Sequence, residues 1–271
     1  MTEAVDLEAV KQVQQKVWAE GDFAMIGATQ LLTGERLCER LDVLPDERCL
    51  DVACGPGNTT LAAARRAWGN TVGIDYVPAL LERARERAAV ERLDVEFIDG
   101  DAENLPFGDA EFDVVISTFG AMFAPDQHRA ADELLRVCRS GGRIGLTTWV
   151  PEGFIGQMFM TIGQHAPPPP GVDPPILWGK EERLRELFGD GISDLSLERH
   201  VMVFRFRSFD HWLDFFRTYL GPMKMAFARV GPDGEQALAD DLRGLVERFD
   251  RGGGRAMLVD AEYAEVVAVR A

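Results

Sequence analysis

Leu50-Asp51-Val52-Ala53-Cys54-Gly55-Pro56-Gly57-Asn58 runs a short apolar β-pattern straight into a glycine-rich bend, and Asn58–Trp68 then reads as a helix. Glycines at such a bend allow positive φ and let a ligand approach the backbone with no Cβ in the way. The helix start beyond it offers unpaired N–H groups and a positive dipole end to an anionic group. Taken alone, the stretch also fits an ordinary tight strand-to-helix turn. The residues around it narrow the choice.

From Arg48 to Val150 short apolar runs alternate with helical patterns. Strands are expected at Arg48–Ala53, Thr71–Asp75, Asp94–Ile98, Phe112–Ser117 and Arg143–Trp149, and helices at Asn58–Trp68, Pro78–Val90 and Asp126–Arg139. Pro78 suits a first helical turn, where a missing N–H is tolerated, and Gly141-Gly142 lies just past a helix end. Val114-Val115-Ile116 is a consecutive apolar run, as expected for a strand buried on both faces. Strands alternating with helices of this length mean βαβ units and a parallel sheet. In open α/β sheets ligands bind at the carboxyl ends of the strands. Eighteen residues after Gly57 the second strand ends in Asp75, a carboxylate that can accept from both hydroxyls of a ribose. The third strand ends in Asp99-Gly100-Asp101-Ala102, another carboxylate with small residues beside an adenine-sized slot.

These residues, with the Leu134–Ile144 segment ending Cys138-Arg139-Ser140-Gly141-Gly142-Arg143, resemble the class I S-adenosylmethionine-dependent methyltransferases, most closely the small-molecule branch that includes the UbiE-type enzymes. The resemblance covers Leu41 to Val150. It implies an α/β fold with a doubly wound, seven-stranded, mostly parallel sheet whose last strand enters antiparallel. It implies S-adenosyl-L-methionine as cofactor, held by Asp51, Ala53, Gly55, Gly57, Asn58, Asp75, Tyr76, Asp101, Ala102, Ser117 and Thr118. Within that set Gly55 and Gly57 line the methionine part, Asp75 holds the ribose, and Asp101-Ala102 flank adenine. Ser117 and Thr118 lie along the methionine end. An N-terminal helix closes over the cofactor in related enzymes, which assigns Trp18–Thr29 a lid role.

The flanks read differently. Residues 1–44 look like a helical flap with Val10, Val13 and Val17 at helix spacing and a break at Gly21-Asp22. Residues 45–150 form the cofactor-binding core, and 151–271 complete the sheet around a helical cap, all in one domain. Past Pro151 come a Gly- and Met-containing stretch and the stiff run Pro167-Pro168-Pro169-Pro170. A short helix follows at Glu181–Phe188, then a strand at Leu195–Phe206, a helix capped by Ser208, another at Glu235–Phe249 and a last strand at Ala256–Val269. The cap is rich in Met and aromatic residues, among them Phe154, Met158, Phe159, Trp178, Trp212, Phe215, Phe216 and Met223. Such side chains make either a cap core or the wall of an apolar acceptor pocket.

Composition excludes other classes. The 271 residues carry 29 basic and 45 acidic side chains, a net charge of −16 that repels polyanions. Neither nucleic acid nor an anionic membrane is expected as a partner. Met1 to Glu20 lacks a basic start followed by an apolar run, so no secretory signal is expected. No run is long enough for a spanning helix. Cys38, Cys49, Cys54 and Cys138 have no paired spacing, which argues against a zinc site or any other metal and for reduced thiols in the cytoplasm.

Methyl transfer from a sulfonium is an in-line displacement that needs a general base only when the acceptor must lose a proton. His128, opening the helix after the fourth strand, and His165, beside the proline run, are the candidates. His200 and His211 read as surface or helix-start residues. A nicotinamide fingerprint wants a third glycine where Thr60 stands, a P-loop wants Gly-Lys-Ser/Thr, and DNA amino-methylating enzymes carry Pro-Pro-aromatic where Ser117-Thr118-Phe119-Gly120 follows. The expected activity is methyl transfer to a small apolar or aromatic metabolite on O, N or C. An NAD(P)-dependent oxidoreductase and a non-catalytic S-adenosylmethionine-binding protein stay open as alternatives.

Overall fold

The structure, a computed structural model, describes residues 5–271, so the first four residues of the expected flap lie outside it. Seven strands form one sheet: β1 (Cys49–Val52), β2 (Thr71–Asp75), β3 (Val95–Asp99), β4 (Phe112–Thr118), β5 (Cys138–Trp149), β6 (Ile192–Phe206) and β7 (Met257–Arg270). Their order is β3-β2-β1-β4-β5-β7-β6. The first five run parallel. β7 enters antiparallel between β5 and β6, as the sequence resemblance implied.

The helices are α1 (Leu7–Ala19), α2 (Phe23–Gly27), α3 (Leu31–Arg40), α4 (Asn58–Ala67), α5 (Pro78–Glu91), α6 (Gln127–Val137), α7 (Phe154–His165), α8 (Glu181–Phe188), α9 (Phe209–Tyr219) and α10 (Gly221–Phe249). Alternating side chains commit the strands to two faces. Cys49, Val114 and Ile116 pack with Leu37 of α3, Leu41 just beyond it and Ala63 of α4, whereas Leu50, Val52 and Val115 pack with Leu134 and Val137 of α6. Every strand carboxyl end from β1 to β4 therefore opens toward the same edge of the sheet.

Three departures from the sequence expectation have local causes. The stretch after Pro151 is helical as α7, despite Gly156; a Cβ there would sit 2.3 Å from the Val150 carbonyl oxygen, so close packing of the turn requires the glycine. An additional helical stretch precedes the one expected from Glu235: α10 starts at Gly221, and Gly231, at φ 66° just before Pro232, breaks it in two. Helix α6, expected to reach Arg139, ends at Val137, and Cys138 already pairs with Phe112, so Gly141-Gly142 lie in an irregular part of β5.

The Met and aromatic side chains of the last third mostly fill the core of a helical cap. Trp212 is fully buried against Phe154, Phe209 and Phe216, with ring centroids 5.8, 5.7 and 5.0 Å away. The flap docks on this cap: Asp22 N–H donates to the Tyr219 carbonyl, and Lys224 Nζ pairs with Glu20. Among the described residues no helix is long and apolar enough to cross a membrane.

Candidate active site

One cleft dominates the strand carboxyl ends, with about 1000 Å³ of empty space counting its open mouth. Its floor is the bend between β1 and α4. Gly57 takes φ 80° as the cap of α4, a left-handed conformation that disfavours any side chain. A Cβ on Gly57 would meet Ala84 and Phe97 at 3.0 and 3.3 Å, so this glycine packs against α5 and β3 and does not border the cleft. Gly55 does border it: at φ 54° its missing Cβ leaves open space, with only a Phe23 ring carbon 3.9 Å away.

The acids stand where the strands end. Gly55 N–H donates to Asp75 Oδ2 at 2.8 Å and Val77 N–H to Asp75 Oδ1 at 2.9 Å. These bonds hold the bend against the second strand and aim the carboxylate into the cleft. Thr60, at the place a dinucleotide fingerprint reserves for glycine, donates to Asp51 Oδ2 at 2.6 Å. Asp51 Oδ1 is buried without a partner, an acceptor left over in the cavity wall and suited to a cationic donor. Burial pushes the Asp75 carboxyl up to about 6 and the Asp51 carboxyl up to about 7. An ionised Asp51 is thus a cost in the free protein: its stabilising contribution is complete below the ordinary carboxylate range and is lost as pH rises through about 7. Ligand binding has the opposite sign, because hydroxyl and ammonium donors need the carboxylates ionised. Affinity for S-adenosylhomocysteine, followed by calorimetry, should fall by roughly tenfold from about pH 7 to 6 and more steeply, toward about a hundredfold per pH unit, below about 6. A flat profile would remove both acids from the binding set.

Lys11 of α1 reaches the third acid. Its Nζ lies 2.6 Å from both Asp101 and Glu103. Burial opposes its charge, but those two bonds hold the ammonium above the ordinary lysine value. Arg87 of α5 donates to the Pro56 carbonyl and to Asn58 Oδ1, each at 2.6 Å, and Asn58 Nδ2 donates to the Gly27 carbonyl at 2.8 Å. Asn58 thereby ties α2 to the bend. Trp18, Phe23 and Phe123 close the opposite side with edge-to-face contacts, Trp18 lying 5.6 Å from Phe23 and 5.0 Å from Phe123.

Of the residues expected from sequence, Asp51, Ala53, Gly55, Asn58, Asp75, Tyr76, Asp101, Ala102 and Thr118 all border this cleft. Ser117 does not. Its hydroxyl donates to the Val52 carbonyl at 2.7 Å and accepts from Ala121 N–H at 2.8 Å, so it braces the loop that the cleft uses. His128 is exposed on α6, and His165 Nε2 sits 2.7 Å from Asp241; neither borders the cleft, so neither is placed to act as its base. His200 is half-buried rather than on the surface, its Nδ1 accepting from Arg36 at 3.0 Å. The cap aromatics, which the sequence left open between a core and a pocket wall, belong to the core, and none of those named borders the cleft. The aromatic wall comes from Trp18 and Phe23, within the segment given a lid role by the resemblance, and from Phe119 and Phe123, for which the sequence signal was only the position after β4.

A sheet of this order, with acids at two strand tips and an unpartnered carboxylate oxygen beneath a glycine bend, defines a class I S-adenosylmethionine-dependent methyltransferase, and the chain belongs to that family. A family model described as "Methyltransferase domain" matches residues 50–146. An uncharacterized protein of Mycobacterium tuberculosis is 39% identical over 249 residues, covering 91% of this chain and 90% of that protein. A demethylmenaquinone methyltransferase of Deinococcus radiodurans is 38% identical over 124 residues, 45% of this chain and 52% of that one. Among solved structures, the YcgJ protein of Bacillus subtilis superposes with a TM-score of 0.62 at 19% identity, covering 88% of this chain and 98% of the other. The cofactor of that family is S-adenosylmethionine.

Proposed function

We propose that the protein methylates a small, flat, largely apolar or aromatic metabolite. The observation that carries this is the joining, in one cleft, of three acids at strand ends to a wall of Trp18, Phe23, Phe119 and Phe123. Asp75 is assigned to the ribose, Asp101 and Ala102 to the adenine, and Gly55 with the free oxygen of Asp51 to the methionine end. The bound sulfonium supplies an activated methyl group and a neutral leaving group, so the protein's work is orientation and exclusion of water. The flap and Phe119–Pro125 do that work by walling off the cleft. The demethylmenaquinone methyltransferase named among the relatives supports a ring acceptor of quinone type.

The net charge of −16 supports a small-molecule acceptor over nucleic acid or an anionic membrane. Four buried free thiols support a reducing, cytoplasmic setting. The bond from Thr60 to Asp51 weighs against a dinucleotide, since Thr60 stands where that fingerprint puts a third glycine for close helix–strand packing. Calorimetric titration should therefore show binding of S-adenosylhomocysteine and none of NADH or NADPH. Mass-spectrometric methylation of a panel of ring metabolites should then show at least one turned over. Binding of NADH in place of S-adenosylhomocysteine would overturn the proposal.

A further inference from the structure

We propose that Lys11 is a positioning residue of the cofactor site: its ion pairs with the tip of β3 latch helix α1 across the cleft and set how fast the cofactor enters and leaves. This rests on the methyltransferase reading of the cleft and adds to it the gate through which its cofactor exchanges.

Helix α1 crosses the strand tips in the sense of the sheet order, β3-β2-β1-β4. Lys11 Nζ lies 2.6 Å from both Asp101 and Glu103, just past β3. One turn on, Gln15 Nε2 donates to the carbonyl of Tyr76, just past β2. Trp18 meets Phe123, beyond β4, edge to face with ring centroids 5.0 Å apart. Lys11, Gln14 and Trp18 share one helical face, and all three border the cleft. A ligand seated against the tips of β1 to β3 therefore lies beneath α1.

The two ends of α1 are held differently. Its last turn is pressed backbone to backbone on the α9–α10 junction. A Cβ on Gly221 would fall 1.8 Å from the Val17 carbonyl oxygen, and one on Gly21 would fall 2.2 Å from that of Tyr219. Neither contact leaves room for a side chain, so this end is fixed. Helix α2 beyond it is fixed as well, with Ile26 and Gly27 buried and the Gly27 carbonyl bonded to Asn58. Helix α1 itself has no buried residue. Apart from Val5 beside Gly171, its first half is tied down through the Lys11 pairs and the Gln15 bond. A helix that hides so little apolar surface has little to lose on lifting except those polar contacts.

The Lys11 pairs are stronger than a surface bridge. Glu103 is only 4% exposed, and its other oxygen accepts from Asp126 N–H at 2.9 Å. Asp101 Oδ1 accepts from Glu103 N–H at 2.9 Å. Backbone donors thus hold both carboxylates in place, and one ammonium answers two fixed charges in a partly dry setting. Lifting α1 returns Lys11 to water but leaves the Glu103 carboxylate buried without its counter-charge. The partners of Lys11 are the protein's own acids and not the cofactor, so the latch acts on ligand entry and exit alike. Loss of a direct ligand contact acts mainly on exit.

The test follows radiolabelled S-adenosylhomocysteine, with Kd read by equilibrium dialysis and release timed into excess unlabelled ligand. Lys11→Met keeps the apolar stem and removes the charge. It should speed release about tenfold while Kd moves by less than about threefold, so that association quickens by a similar factor. In wild type, raising salt from about 0.05 M to about 0.5 M should speed release several-fold, and Lys11→Met should lack that response. The ligand is a zwitterion without net charge, so salt does not act through steering. Lys224→Met, which removes the exposed pair to Glu20 at the fixed end, should leave release within about twofold of wild type. The salt response of wild type carries the test if Lys11→Met fails to fold. The proposal is overturned if wild-type release ignores salt, or if Lys11→Met leaves release unchanged. It is also overturned if Lys11→Met weakens Kd as much as it speeds release, which makes Lys11 a ligand contact, or if Lys224→Met releases just as fast. Failure of wild type to bind S-adenosylhomocysteine at all would instead take down the methyltransferase reading.

Discussion

Asp75→Ala should weaken S-adenosylhomocysteine binding by about 1–3 kcal/mol, or roughly 5- to 150-fold in Kd. Two losses combine. The ribose hydroxyls lose their acceptor, and the Gly55 and Val77 N–H groups, now bonded at 2.8 and 2.9 Å, lose theirs. The second loss matters because Gly55 N–H belongs to the bend itself, so the cradle loosens as well as losing a contact. Asp75→Asn separates the two: its carbonyl can still accept one N–H, so it should retain more of the bend while losing the ionised acceptor. Calorimetry on the three proteins reads the difference. An unchanged Kd in Asp75→Ala would end the ribose assignment.

Trp212→Ala should cost roughly 3–5 kcal/mol of folding stability, the expected range for emptying a large aromatic site in a packed core. Trp212 is fully buried and meets three other rings. Its indole N–H has no partner, so truncation leaves no stranded acceptor and the cost is almost all cavity and lost packing. Chemical denaturation should show a lower midpoint with little change in slope. A loss under about 1 kcal/mol would mean that the cap collapses around the gap, against the close packing described above. Asp51 and Asp75 stand on β1 and β2, separated in the sheet from β7 and β6 by β4 and β5, so S-adenosylhomocysteine should still bind the folded variant.

The cofactor half of the site was legible in sequence because each of its parts is short-range. A strand that ends in an acid, a glycine where φ must be positive and a helix that starts at once are local constraints on neighbouring residues. The long-range contacts around it were not. Lys11 meets Asp101 across 90 positions and His165 meets Asp241 across 76, and no periodicity reports such pairs. His165 looked available only because its partner is distant in the chain. The Met and aromatic spacing of the cap was ambiguous for the same reason: a core and a pocket wall need the same residue types, and only the packing partner tells them apart. Gly57 shows the limit even within the motif, since sequence identifies a glycine that must be left-handed but not which way its missing Cβ faces.

The order of apolar runs, bends and helix starts was enough to decide the parallel α/β core and the positions of Asp75 and Asp101 at its edge. Those are consequences of backbone geometry, which acts over a few residues and leaves its mark in composition. Folding in three dimensions decided the rest: that the flap brings Trp18 and Gln30 over the cleft, that the cap rings turn inward, and that no histidine comes near. Such outcomes depend on which surfaces meet when distant segments exclude water together, and that choice belongs to the whole chain.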